Sequence, residues 1–302
     1  LRKLRGRRTW LIRNANLTES ANVFGAAAVR FSEVQRQAKS TLTDLGAKKD
    51  QVIIIHYSCE SFYDSEGGRT PRITSIACRN YSDGQTRSFS IHQISELPEF
   101  AGVDPWDEYD SIERRLLDKY FEFVGQHITH GQWVHWNMRD INYGFPAIEH
   151  RYEVLGGTPT RVPDDRKHDL ARLLVGRYGK RYAGHPRLQS IMKLNKITDK
   201  DFLSGAEEAD AFKNRRFLAL HQSTLRKVDV VSSLLDAATA GTLKTNAPFW
   251  DLHGGSIRLI WEKYVWTPIG RTVSGLLAIL ALVEWIFPNA KSTVAEWFTG
   301  LN

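Results

Sequence analysis

The sequence predicts an α/β fold, a mixed sheet flanked by helices, from three observations. First, Val52 to Ile55 is a continuous apolar run that passes without a break into His56, Ser58, Cys59 and Glu60. Such a run, bounded by polar residues, suits a strand buried on both faces. Second, two more strand-like runs follow, roughly Arg72 to Arg79 and Thr86 to His92, joined by Ser82-Asp83-Gly84. Gly supplies the positive φ that a tight hairpin needs. Third, the rest of the chain is helical in pattern with one strand inserted, and that order gives a mixed sheet covered by helices.

The elements follow in order. Ser20 to Gly46 has helical composition, with Ala26 to Val29, Val34, Ala38 and Leu42, and Gly46 with Lys48-Lys49-Asp50 stops it. After the three strands, Ser111 to His127 repeats Ile112, Leu116, Tyr120, Phe121 and Val124 at helical spacing. Gln132 to Trp136 reads as a short strand, and Ile141 to Leu155 as a helix ending at Gly156-Gly157. Further helices are expected from His168, over Arg187 to Met192, Glu207 to Leu220 and Ser223 to Ala237. The expected organisation is a basic arm over 1–19, one domain over 20–243, a linker over 244–263 and an anchor with its tail over 264–302.

The 302 residues carry 42% hydrophobic and 25% charged side chains, which excludes disorder of the whole chain. A net charge of +7, concentrated in part at Arg2, Lys3, Arg5, Arg7, Arg8 and Arg13, favours an anionic partner, nucleic acid or an acidic membrane face. Two cysteines, Cys59 and Cys78, imply neither a disulfide framework nor a zinc site. Near the end, Thr272 to Val283 is uncharged and mostly apolar. Tyr264 to Phe287 is long enough to span a bilayer, with Trp261, Trp266, Trp285 and Trp297 placed as interfacial aromatics. A C-terminal membrane-anchoring helix is therefore expected. Arg258, Lys263 and Arg271 before it predict a membrane-associated protein with a cytoplasmic main body. The alternative is a hydrophobic helix docked on protein.

Carboxylates stand in three settings that look positioned. Ser58-Cys59-Glu60 closes the first strand, His135 to Asp140 hands a strand over to a helix, and His221 to Asp229 opens the last helix. His168-Asp169-Leu170-Ala171-Arg172 lies between the last two. This order resembles the DEDD-type 3′–5′ exonucleases of the ribonuclease H-like superfamily. There the first strand carries Asp-x-Glu and is followed by a hairpin. A strand ending in Asn precedes the second Asp, and a late helix carries the last. Residue by residue, the resemblance places Glu60, Asp140 and Asp229 on metal-ligand positions and Asn137 on the second-motif Asn.

The resemblance implies a metal-dependent exonuclease acting on single-stranded nucleic acid ends. It would use Mg²⁺ or Mn²⁺ held by Glu60, Asp140 and Asp229, with His56 or His221 as general base. Paired ions about 4 Å apart would activate water and stabilise the leaving oxygen. The chain departs from the pattern where Ser58 replaces the first Asp. Thr224 and Leu225 also stand where the family has its His or Tyr, and His221 comes one helical turn earlier. The alternative is therefore an inactive module of the same fold that binds nucleic acid or a partner protein. Strand alternation puts His56, Ser58 and Glu60 on one face, which favours His56 over Asp64 as the partner of Glu60.

Each residue also has a structural role open to it. Glu60 can pair with an Arg, Asp140 can cap the helix at Ile141, and Asp229 can form a surface ion pair. His56 can be a core histidine and Cys59 a packing residue. Lys180, Arg181, His185, Arg187, Arg215, Arg216, Arg226 and Lys227 form basic clusters interleaved with Trp133, Trp136, Tyr178 and Tyr182. Such a surface holds phosphates and stacks bases.

Overall fold

The computed structural model describes residues 33–60, 70–139 and 143–248. All of them fall in the unit that runs from residue 29 to residue 248. The expected arm and the expected anchor lie outside the described residues, as do Asp64 and Asp140. Among the described residues no helix is long and apolar enough to cross a membrane.

A five-stranded mixed sheet organises the unit, in the order β3-β2-β1-β4-β5. Strand β1 (Val52–Cys59) is buried along its whole length, as its unbroken apolar run predicts. It pairs antiparallel with β2 (Ile73–Asn80) and parallel with β4 (Gln132–His135). Strand β3 (Thr86–Ser90) lies antiparallel on the outside of β2, and β5 (Lys167–Asp169) lies parallel beside β4. Helix α1 is described over residues 33–47 and buries Ala38, Leu42 and Leu45.

The β2–β3 hairpin forms where the turn residues place it. Asn80 Oδ1 accepts from the amide of Ser82, and the Gly84 amide donates to Asn80 O at 3.0 Å. Gly84 sits at φ +73°, and a Cβ there would come within 2.8 Å of Arg79 Nη2. The third strand stops earlier than expected, at Ser90. That side chain accepts from the Gln93 amide and caps the short helix α2 (Ile91–Ser95).

Helices cover both faces of the sheet. Helix α3 (Tyr109–His127) turns Ile112, Leu116, Tyr120 and Val124 into one core with Ile55, Tyr57, Ile76 and Cys78 of the strands. On the other face lies α8 (Phe217–Thr239), which packs on β1 and β2 and buries Leu220, Val228, Val231 and Leu235. Helix α4 (Phe145–Val154) starts later than Ile141, with Pro146 in its first turn, where a missing amide costs nothing. A Cβ on Gly144 would meet the Met138 carbonyl at 2.6 Å, so the chain there passes backbone against backbone.

The expected helix from His168 begins at Leu170 instead. Its first residues are drawn into β5, and Asp169 caps α5 (Leu170–Tyr178) through the amides of Ala171 and Arg172. Helix α6 runs over Arg187–Leu194. The boundary expected between Leu220 and Ser223 falls earlier. A capping box of Ser204 and Glu207 starts α7 (Gly205–Lys213), and Arg215 at φ 56° turns the chain out of it before α8 begins.

One buried ion pair ties α3 to α4. Glu113 is fully buried, accepts from the Ile73 amide at 2.6 Å, and pairs with Arg151 Nη2 at 2.6 Å. Arg151→Met leaves that carboxylate without its cation and should cost about 3–5 kcal/mol in urea unfolding. An unchanged midpoint would mean that the Ile73 amide suffices to hold Glu113.

Candidate functional site

The end of β1 is the place where sequence and fold both concentrate polar groups. Ser58 is fully buried and faces α7 and α8. Its hydroxyl donates to Glu208 Oε1 at 2.6 Å. Thr224 Oγ1 of α8 lies 3.1 Å from Ser58 Oγ and 2.5 Å from the hydroxyl of Ser75, the residue paired with Ser58 across β2. Thr224 Oγ1 also lies 2.9 Å from Leu220 O, so the three hydroxyls form a contiguous polar row whose Ser58 end donates to a carboxylate.

That carboxylate is held by a cation. Lys227 Nζ lies 2.7 Å from Glu208 Oε1, and both side chains are buried. Ser223 Oγ donates to the same oxygen at 3.1 Å, while Glu208 Oε2 is buried without a hydrogen-bond partner. Glu208 and Lys227 belong to two helices that meet over β1, and helical spacing alone brings Ser223, Thr224 and Lys227 to that junction. His56 lies on the same strand two residues before Ser58. Both of its ring nitrogens are buried without a partner. Burial first, and the Lys227 charge second, hold it neutral well below the usual histidine range.

Glu60 is the residue that follows β1, and it meets the backbone of Arg72. The β1–β2 pairing is irregular between Ser58 and Cys59, but the extra residue there, Thr74, belongs to β2, and β1 keeps its alternation, with Ile53, Ile55, Tyr57 and Cys59 all on the α3 face. Glu60 is half-buried, its amide donates to Arg72 O at 2.8 Å, and its Oε2 accepts from the Arg72 amide at 3.4 Å. Across the sheet from α8, Tyr109 of α3 donates to Ile73 O at 2.9 Å. Cys59 is buried on that α3 face beside Tyr57 and Ile73.

Asp229 is placed elsewhere. It pairs with Arg79 Nη1 at 3.1 Å, and the strand partner of Arg79 is Ile54, six residues before Glu60 (60 − 54). At ~3.3 Å per residue, that is about 20 Å along β1. The surface ion pair open to it is thus what forms. The α8 residue that meets the end of β1 is Thr224. The sequence held the signal, because Leu220, Thr224, Val228, Val231 and Leu235 mark one helix face and Asp229 lies off it.

His221, one turn before Thr224, is nearer to α2. Its ring centroid is 6.3 Å from that of His92, and burial followed by the His92 charge lowers its pKa. Asn137 adopts φ 58°, its amide donates to Asp169 Oδ1, and Arg139 pairs with Asp169. The segment from His168 to Arg172 therefore closes the end of β4 and caps α5.

The basic clusters lose their aromatic interleaving. Trp133, Trp136, Tyr178 and Tyr182 are all buried, so none offers a ring for stacking. Arg215 pairs with Asp104, Arg216 with Asp210, and Lys227 is the buried partner of Glu208. Lys180, Arg181 and His185 are exposed.

Divalent Mg²⁺ or Mn²⁺ requires charged oxygen ligands to displace its water. The described residues around Ser58 do not fit that need. They present neutral hydroxyls, a carboxylate already matched by an ammonium, and a cation that repels another. Among the described residues, no three His, Cys, Asp or Glu side chains come together as a metal-holding group.

No family model and no curated protein matches the chain. Among solved structures, it is similar to the family B DNA polymerase from the hyperthermophilic archaeon Pyrobaculum calidifontis, with 17% identity and a TM-score of 0.41. The match covers 62% of this chain and 24% of that chain, so this chain spans about a quarter of the polymerase.

Lys227→Met strands Glu208 in the interior and should cost about 3–5 kcal/mol in urea unfolding. Adding Glu208→Leu should recover most of that loss, because it removes the orphaned charge. A double variant no more stable than the single one would mean that the cluster depends on Glu208 and not on the pairing.

Proposed function

We propose that this chain is a non-catalytic binding module on a ribonuclease H-like sheet, which holds single-stranded nucleic acid without cleaving it. The observation that carries the reading is the closure of the β1 end by hydroxyls and an ion pair. A two-metal hydrolase needs carboxylates on β1 and on the last helix at one point. Ser58 and Thr224 stand at that point, and Lys227 supplies the positive charge that a metal would. Glu60 meets the Arg72 backbone at the end of β1, and Asp229 is drawn to Arg79 toward the other end of that strand.

Two observations support the rest of the reading. The order of strand, hairpin, strand with Asn at its end, and late helix over the first strand is the one the resemblance leads to expect. The net charge of +7 favours a polyanion. Among the described residues, neither histidine expected as general base is placed for that role, since His56 is enclosed and His221 lies beside His92.

The full chain should bind a fluorescent single-stranded oligonucleotide with an affinity that falls as salt rises and does not respond to a chelator. The strand should keep its length through prolonged incubation with Mg²⁺ or Mn²⁺. Shortening that requires the metal and disappears in Glu60→Gln would overturn the reading.

Membrane anchoring through Tyr264 to Phe287 belongs to the same proposal, supported by the apolar run and its flanking tryptophans. The full chain should float with phospholipid vesicles in a density gradient, and Leu280→Arg should weaken that association. Equal flotation of the two would argue against a spanning helix.

A further inference from the structure

A cleft of about 690 Å³ opens on the α3 face of the sheet, at the end opposite Glu60. It is lined by the C-terminal turns of α3 and by residues of β1, β2 and β3. Its size falls within the roughly 300–1,000 Å³ of small-molecule sites. Neither the β1 polar cluster nor the basic segments take part in it.

Its lining is specific in chemistry. The apolar part is largely aromatic. Phe89 of β3 and Phe123 of α3 lie with ring centroids 6.0 Å apart and planes tilted by 56°, Ile53 and Cys78 complete the apolar lining, and the His127 ring is 4.2 Å from that of Phe123. Around them stand side-chain amides. Gln51, Gln85 and Gln126 are exposed, and their side chains hydrogen-bond to nothing among the described residues. Asn80 commits only its Oδ1, to Ser82. A carboxamide offers a donor and an acceptor side by side, the pattern that reads a base edge in pairs of bonds.

The charges of the cleft cancel. Arg87 and Lys119 are set against Asp50 and Glu122, and none of the four forms an ion pair among the described residues. This balance disfavours a phosphate or carboxylate and suits an uncharged polar ring. One further donor waits nearby. Trp133 Nε1 is buried without a partner, and a Cβ on Gly131, which lines the cleft, would lie 3.0 Å from it. Any side chain at position 131 would also strike His127 O at 2.6 Å, so glycine keeps this end open.

The geometry points to a binding site for a planar, uncharged heteroaromatic ring with hydrogen-bonding edges, a nucleobase, stacked beside Phe89 and Phe123 and read by the glutamine amides. The base can come from a free nucleoside or from a single-stranded end. The second source rests on the nucleic-acid reading above, and the first does not.

The test is calorimetric titration of the full chain with adenosine and, separately, with an octa-adenylate strand. Both are repeated on Gln85→Leu/Gln126→Leu, whose altered side chains are exposed and leave the core untouched. Saturable adenosine binding in the wild type, weakened about tenfold in the double variant at an unchanged thermal midpoint, is the expected result. If only octa-adenylate binds and the double variant weakens it, the base is taken from a strand. If octa-adenylate binds both proteins equally and adenosine binds neither, the site proposal fails while the nucleic-acid reading survives. Adenosine bound without octa-adenylate leaves the cleft standing and removes that reading. Binding of neither probe overturns the cleft. Phe123→Leu provides a second check, since losing the ring should weaken adenosine even where the amides remain.

Discussion

Glu208 and Lys227 set the terms for the whole junction at the end of β1. A carboxylate with 1% exposure survives there because an ammonium lies 2.7 Å away and two hydroxyls, Ser58 and Ser223, donate to the same oxygen. Those contacts fix α7 against α8 and both helices against the central strand. Ser58 then has a defined direction of hydrogen bonding, because its hydroxyl donates to the carboxylate, while the Thr224 hydroxyl lies within reach of Ser58, Ser75 and Leu220 O. A polar cluster of this kind is satisfied as a unit, and this one leaves only Glu208 Oε2 and the His56 ring unmatched.

That closure bears on chemistry as well as on packing. Metal-assisted hydrolysis needs several negative charges facing one cavity, and the described junction offers one that is already neutralised. The same sheet carries a different kind of opening on its other face. There α3 and the strands line an aromatic, amide-rimmed cleft with balanced charge. The two faces divide the roles, one sealed by an ion pair and one open to solvent.

Much of the fold was legible in the residues. The unbroken apolar run of β1 marked a strand covered on both sides, Gly84 marked the hairpin, and the apolar spacing of α3 marked its buried stripe. The misses have local causes. Ser90 and Asp169 each cap a helix, which ended β3 early and cut the His168 segment into a strand and a helix. Arg215 in the left-handed region moved the α7–α8 boundary. The candidate site was less legible. Tryptophans and tyrosines between basic residues read equally well as a stacking surface or as core, and packing made them core.

The sequence by itself determined the order of elements, the central place of β1 and the absence of an acid at Ser58, because these depend on local pattern and residue identity. The tertiary structure decided which groups meet. Glu60 came to the backbone of Arg72, and the phase of α8 sent Thr224, not Asp229, to the strand end. Glu208, 150 residues from Ser58, entered the site through a contact that no local pattern announces. Register and helix phase are settled by the summed packing of the two covering layers, and a motif read along the chain carries neither.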